Sequence, residues 1–222
     1  MNFVLSLGGS VINPGRVQTV FLSEFSKFIG ARVGRGDKFY IITGGGALAR
    51  QYQDAAKSAA SVSEKDLDWL GIAPTKINAE IVRVLLAKSA YKEVLSDPRV
   101  KKTNRVVVYS GWKPGWSTDY VAVKVAQTYG VNTVINLSNV DYVYSADPRR
   151  DKRAKKMEVM SHSRFLKLIG KKRKPGGNYP FDPVAARLAQ KEKIKIVVMN
   201  GRKLKNLENY LNKNKFQGTE IK

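Results

Sequence analysis

The 222-residue chain has no cysteine and a single histidine, His162. Without thiols there is no disulfide framework and no thiolate chemistry, which fits a reducing compartment. A Ser-His-Asp relay is implausible with one imidazole. His162 itself stands in a polar stretch before a basic helical pattern and reads as a residue that opens that helix. No apolar run approaches the roughly 20 residues that span a bilayer. No basic-then-apolar leader precedes the strand-like run that begins at Phe3. These absences lead to the expectation of a soluble, cytoplasmic protein.

Acidic residues are also scarce: 18 Asp and Glu face 40 Lys and Arg, a formal net charge of +22. So basic a chain is either a nucleic-acid binder or an enzyme for anionic substrates with a lysine-rich surface. Cations cluster at Arg149–Lys156 and Lys171–Lys174 and otherwise scatter, notably along the last helical pattern. Neither cluster carries the interleaved aromatics of a single-strand binding groove. The solvated-surface reading is therefore preferred, with nucleic acid kept as a secondary partner.

What is present is a chain long enough for a sizeable core, 43% hydrophobic, read as one domain over residues 1–222 with halves meeting near residue 130. Strand and helix patterns alternate, which predicts a three-layer αβα sandwich around a mostly parallel sheet. Strands are expected at Phe3–Leu7, Lys38–Thr43, Val106–Tyr109, Val131–Leu137 and Ile194–Met199. Helical spacing covers Val17–Ile29, Ala47–Ala60, Glu64–Tyr91, Ser117–Tyr129, Ser163–Ile169 and Leu204–Asn212, with Pro74 expected to break or kink the third. Tyr142–Lys156 reads as an exposed loop or hairpin. Asp182 and Pro183 form a helix start, cap followed by first-turn proline.

The most informative feature is a set of three glycine clusters, each directly after a strand pattern: Gly8-Gly9-Ser10, Gly44-Gly45-Gly46 and Gly111 to Gly115. Glycine lets backbone N–H groups approach an anion closely, and a helix N-terminus adds a favourable dipole. Converging at one sheet edge, three such loops suit a substrate with several phosphates. None matches a P-loop or a dinucleotide fingerprint. Arg50 lies one turn beyond Gly46 and can reach back toward an anion held by that loop.

The ordered set of motifs resembles the amino-acid kinase family, and within it the archaeal uridylate kinases. The set comprises Gly8-Gly9-Ser10-Val11, the triple glycine with Leu48-Ala49-Arg50, and Leu70-Gly71-Ile72 with Asn78. It continues through Pro114-Gly115 with Ser117-Thr118-Asp119, Ser138-Asn139-Val140-Asp141, Val143 to Pro148, and Asp182-Pro183. The resemblance implies phosphorylation of UMP by ATP, with Mg²⁺ carried on the nucleotide and no dedicated protein metal site. It implies an acceptor-binding N-terminal half, to about residue 130, and an ATP-binding C-terminal half. Gly45, Asp68 and the loop Trp112, Lys113, Pro114, Gly115, Trp116, Ser117 and Thr118 are implied to hold UMP. Gly9, Ser10, Gly46 and Arg50 are implied at the phosphates, and Ser138, Asn139, Tyr144 and Asp147 around ATP. Ser10, Arg50 and Asp182 would be catalytic, Asp182 by organising the metal-phosphate region, and a homohexamer of dimers is implied as well.

Two positions depart from the family pattern. Ser6 replaces a first-strand lysine that bridges phosphates in other branches, so Lys113, Arg50 and Lys171–Lys174 become candidate cations by charge. Tyr142 replaces a glycine after Asn-Val-Asp; it could narrow the ATP pocket, stack on adenine, or mark a different loop path. Two other functions stay open: a small-phosphate kinase of the isopentenyl phosphate type, and a catalytically silent nucleotide-sensing or RNA-binding relative.

Overall fold

The computed structural model describes residues 1–146, 151–170 and 179–222. The apolar runs fold as strands β1 (Asn2–Leu7), β2 (Lys38–Thr43), β3 (Val106–Tyr109), β4 (Thr133–Ser138) and β8 (Lys195–Asn200). Short strands β5 (Val143–Tyr144), β6 (Lys156–Met157), β7 (Val159–Met160) and β9 (Thr219–Ile221) complete the set. The main sheet has seven strands in the order β3-β2-β1-β4-β8-β9-β7. From β3 across to β8 every pairing is parallel, while β9 runs antiparallel to β8. β5 and β6 pair antiparallel as the hairpin arm expected between Tyr142 and Lys156.

Alternation along each strand separates two cores. Val4, Ile42 and Val107 pack beneath α5 (Thr118–Tyr129), α6 (His162–Ile169) and α7 (Pro183–Lys191). Their neighbours Leu5, Ile41 and Val108 face α1 (Gly9–Ile12), α2 (Thr19–Gly34), α4 (Glu64–Leu85) and α8 (Leu204–Leu211). The αβα sandwich is thus the one predicted. Because β1, β2, β3, β4 and β8 are parallel, the loops after their C-terminal ends all emerge at one edge of the sheet.

Two expectations need correction. α4 continues through Pro74 to Leu85 and stops there, short of Tyr91. Proline withholds one intrahelical hydrogen bond, but Leu67 and Ile72 before it and Ala79 and Val82 after it are all buried, which keeps the helix continuous across it. Beyond the helix, Ala90 and Leu95 form isolated bridges to Val106 and Tyr109 and cover the outer edge of β3. The C-terminal strand β9 was not foreseen, since three residues carry too little alternation to register. Among the described residues, no helix is long and apolar enough to cross a membrane.

Candidate active site

The first two glycine loops touch backbone to backbone. A Cβ added to Gly9 would lie 1.9 Å from the Gly46 nitrogen, and one on Gly44 would lie 2.6 Å from the Gly9 nitrogen. Gly46 has φ +71°, a left-handed conformation that glycine adopts without steric cost, and it opens α3 (Gly46–Ala59). The Ala47 N–H donates to the Asn13 carbonyl at 3.0 Å, locking the start of α3 onto the segment after β1.

One face of α4 gathers the remaining loops. Asn78 Nδ2 donates to the Gly44 carbonyl at 2.7 Å, and the Thr75 hydroxyl accepts the Gly111 N–H at 2.8 Å. Two turns before Thr75, Asp68 Oδ2 accepts the Gly115 N–H at 2.7 Å. Positions 68, 75 and 78 share a helical stripe, so a single element sets the positions of the second and third loops together. Asp68 therefore has a structural role that the sequence did not reveal: it fixes the loop expected to hold the acceptor.

These elements enclose a cavity of about 250 Å³, lined among others by Gly45, Gly46, Arg50, Asp68, Asp119 and Asp182. Gly111, Trp116, Ser117 and Thr118 also line it, so the third loop contributes its two ends, while Trp112 to Gly115 stand outside the lining. Ser117 caps α5 by accepting the Tyr120 N–H, and Asp182 caps α7 by accepting from Val184 and Ala185, each at 2.9 Å. The Asp182 cap matches expectation, and both caps bring a helix N-terminus to the cavity. Asn136, buried on β4, holds the approach to Asp182 by donating to the Pro180 carbonyl.

Asp119 is the site residue that sequence reasoning passed over, although it stood within the Ser117-Thr118-Asp119 motif. Its Oδ1 accepts from the Ser6 hydroxyl at 3.1 Å and its Oδ2 from the Asp182 N–H at 2.9 Å. Burial pushes its pKa up to about 7, reinforced by the negative charge of Asp182 and only partly offset by these two hydrogen bonds. Ser6 thus occupies its position as a partner of Asp119 rather than as a substitute cation.

The other predicted residues lie around this centre. Ser10 sits on α1, and its carbonyl accepts from Arg202 Nη2 at 3.3 Å. Arg202 follows β8 and was not singled out; the available signal was Gly201, whose added Cβ would stand 2.8 Å from Leu137 Cβ and so marks a close backbone approach. Ser138 ends β4 and its carbonyl accepts the Gly201 N–H, with Asn139 beside it. Tyr144 lies in β5, edge-on to Tyr142 with centroids 6.5 Å apart. Trp112 and Lys113 do not line the cavity: Trp112 packs against the core, and Lys113 Nζ lies 4.3 Å from its ring centroid. Tyr142 lines a different cleft, with Lys156 and Phe216. His162 opens α6, buried and hydrogen-bonded to the backbone of Ile194, and burial lowers its pKa. Asp147 and Lys171–Lys174 fall outside the described residues.

A family model described as the amino acid kinase family matches residues 1–200. The chain belongs to that family. Its amino acid kinase relatives include the uridylate kinase of Methanocorpusculum labreanum, 34% identical over 223 residues, covering 98% of this chain and 94% of that protein. The uridylate kinase of Methanospirillum hungatei is 35% identical over 223 residues, covering 98% and 93%. The solved uridylate kinase of Archaeoglobus fulgidus superposes with a TM-score of 0.85 at 34% identity over the whole of both chains. The UMP kinase of Ureaplasma parvum superposes at 0.80 with 20% identity, covering 100% of this chain and 98% of that one, which supports the fold alone.

Proposed function

We propose that the protein transfers the γ-phosphoryl group of ATP to UMP, giving UDP and ADP, in the cytoplasm. The observation that carries this reading is the contact of Gly9 with Gly46, which brings the first and second glycine loops together beside a cavity bordered by Arg50, Asp119 and Asp182. In such a transfer a UMP phosphate oxygen attacks the γ-phosphorus while its bond to the β,γ-bridging oxygen breaks. No side-chain nucleophile is required, so positioning and charge supply most of the catalysis.

In this reading Gly45, Asp68 and the loop residues Trp116, Ser117 and Thr118 seat UMP, and Arg50 binds phosphate where acceptor and donor meet. Ser138, Asn139, Tyr144 and Asp147 surround the donor nucleotide. Gly9, Ser10 and Gly46 present backbone N–H groups to its phosphates, and Arg202, held on the Ser10 carbonyl, supplies the cation that Ser6 lacks. Asp119 and Asp182 are hard oxygen donors at the cavity edge and suit Mg²⁺ brought on the nucleotide. Bound there, the ion would neutralise charge developing on the phosphate oxygens. The family relationship and the exposed Trp69, Ile77 and Val84 on α4 support a homo-oligomer, a homohexamer in this reading.

The test is coupled ADP release with MgATP and, in turn, UMP, CMP, dUMP, AMP and isopentenyl phosphate. Turnover on UMP that falls in Arg50→Ala is the expected result. Faster turnover on isopentenyl phosphate than on UMP, or silence on every acceptor, would overturn the reading.

A further inference from the structure

The two basic clusters evident in the sequence lack interleaved aromatics. Tertiary structure supplies them at a third. Residues 88–113 carry Lys88, Lys92, Arg99, Lys101, Lys102, Arg105 and Lys113 against only Glu93 and Asp97. Folding brings three rings to this segment: Tyr91 from within it, Trp112 from the loop after β3, and Tyr129 from the end of α5. Arg99 Cζ lies 5.3 Å from the Trp112 centroid, and Lys113 Nζ 4.3 Å from the same ring. Lys102 Nζ lies 4.5 Å from Tyr91, and Lys101 Nζ 5.8 Å from Tyr129.

The strap that bears these cations is anchored. The Tyr109 hydroxyl donates to the Val100 carbonyl at 2.8 Å, Thr128 Oγ1 to the Pro98 carbonyl at 2.9 Å, and the Lys102 N–H to the Tyr129 hydroxyl at 2.8 Å. Asp97 engages Arg99 and Glu93 engages Lys92. Among the described residues, Lys101, Lys102 and Lys113 have no carboxylate within ion-pair distance. Three ammonium groups outside direct ion pairs, with Lys113 in the field of Asp97, thus stand beside half-buried rings on an anchored backbone.

We propose that this face docks single-stranded nucleic acid, with phosphates against Lys101, Lys102 and Lys113 and bases against Trp112 and Tyr91. Fixed cations beside aromatic rings are what a strand with unpaired bases recognises, since every base offers a π-face and every link a charge. Val100 is the one large apolar side chain in this segment that is exposed, which gives no wedge for a bilayer. Trp112 begins the loop that leads to the cavity, so a bound strand would run toward its rim. The inference rests on charge and ring placement and is independent of the phosphoryl-transfer reading.

The experiment is fluorescence anisotropy of an end-labelled 12-nucleotide oligouridylate RNA against the full chain. Variants are Lys101→Glu/Lys102→Glu and, with the same change in net charge on distant helices, Lys27→Glu/Lys65→Glu. Neutralising three phosphates of a single strand predicts an affinity loss of about 20-fold between 50 and 200 mM salt. Lys101→Glu/Lys102→Glu should weaken binding at least about tenfold and flatten the salt slope. That variant should keep the wild-type melting temperature and turnover, and Lys27→Glu/Lys65→Glu should bind nearly as the wild type does. Absence of binding at 50 mM salt, or equal losses in the two double variants, would overturn the proposal. So would equally tight binding of a duplex of the same length, or of vesicles containing anionic lipid.

Discussion

The backbone N–H of Asp182 donates to Asp119 Oδ2 at 2.9 Å, so the cap of α7 and the first turn of α5 are tied together by one hydrogen bond at the cavity. It ties residues 63 positions apart in sequence. It also places two carboxyl groups close enough for the charge of one to oppose ionisation of the other.

Burial of Asp119, reinforced by the charge of Asp182, makes the stability of the ligand-free protein depend on pH. The Asp119 pKa is pushed up to about 7 from an ordinary carboxylate value, so the folded chain holds this proton more tightly than the unfolded chain. The resulting stabilisation is complete at low pH, and it is lost as pH rises through about 7. Asp119→Asn removes the titration and should flatten this component, leaving the variant relatively more stable at pH 8.5 than at pH 5.5. Thermal unfolding across that range checks it; parallel curves for the two proteins would contradict it.

Arg50 is exposed and extends from the first turns of α3 to the cavity, so its loss should spare the fold. Loss of one charge-assisted hydrogen bond of about 1.5–3 kcal/mol gives an expected fall of roughly 10- to 150-fold in kcat/KM for UMP on Arg50→Ala. Arg50→Lys should recover part of it. Steady-state kinetics beside circular dichroism distinguishes this from unfolding.

Arg202 is expected to act on the donor side. Arg202→Ala should raise KM for ATP roughly tenfold, the worth of one charge-assisted bond, with little change in KM for UMP. Arg202→Lys should lie between. A change confined to UMP would remove Arg202 from the donor phosphates.

The contact between the first two loops leaves no space for a methyl group. Gly9→Ala would place a carbon 1.9 Å from the Gly46 nitrogen, so the loops must part. Near-complete loss of turnover and a lower melting temperature are expected. Gly30→Ala is the control: it lies inside α2 with nothing within 4 Å of the added carbon. That substitution should stabilise by about 0.5–1 kcal/mol and leave turnover alone.

A last prediction concerns Thr75, whose hydroxyl accepts from Gly111 and donates to the Ile72 carbonyl at 2.6 Å. Thr75→Val keeps the shape but leaves a buried N–H unpaired, at a cost of about 1–3 kcal/mol. Released from α4, the third loop should show a raised KM for UMP. Unchanged kinetics with lowered stability would make the bond purely structural.

The amino-acid sequence by itself determined the layer architecture, because strand-length apolar runs alternating with helical spacing leave few packings other than a covered parallel sheet. It also determined which loops are glycine-rich and which helices Ser117 and Asp182 cap, since turn and cap chemistry are local. Contacts between distant segments were decided only in three dimensions. Asp119 looked like one more helix-start carboxylate until Ser6 and Asp182 closed on it. That Asp68, Thr75 and Asn78 hold loops in place was not legible until loops from two other strands met their stripe. Arg202 lies 192 positions from Ser10, and Tyr129 lies 27 from Lys102, so no local pattern joins them. Propensity and periodicity act over one or two turns of chain, whereas the electrostatics of a site depend on burial and on neighbours that only packing brings within reach.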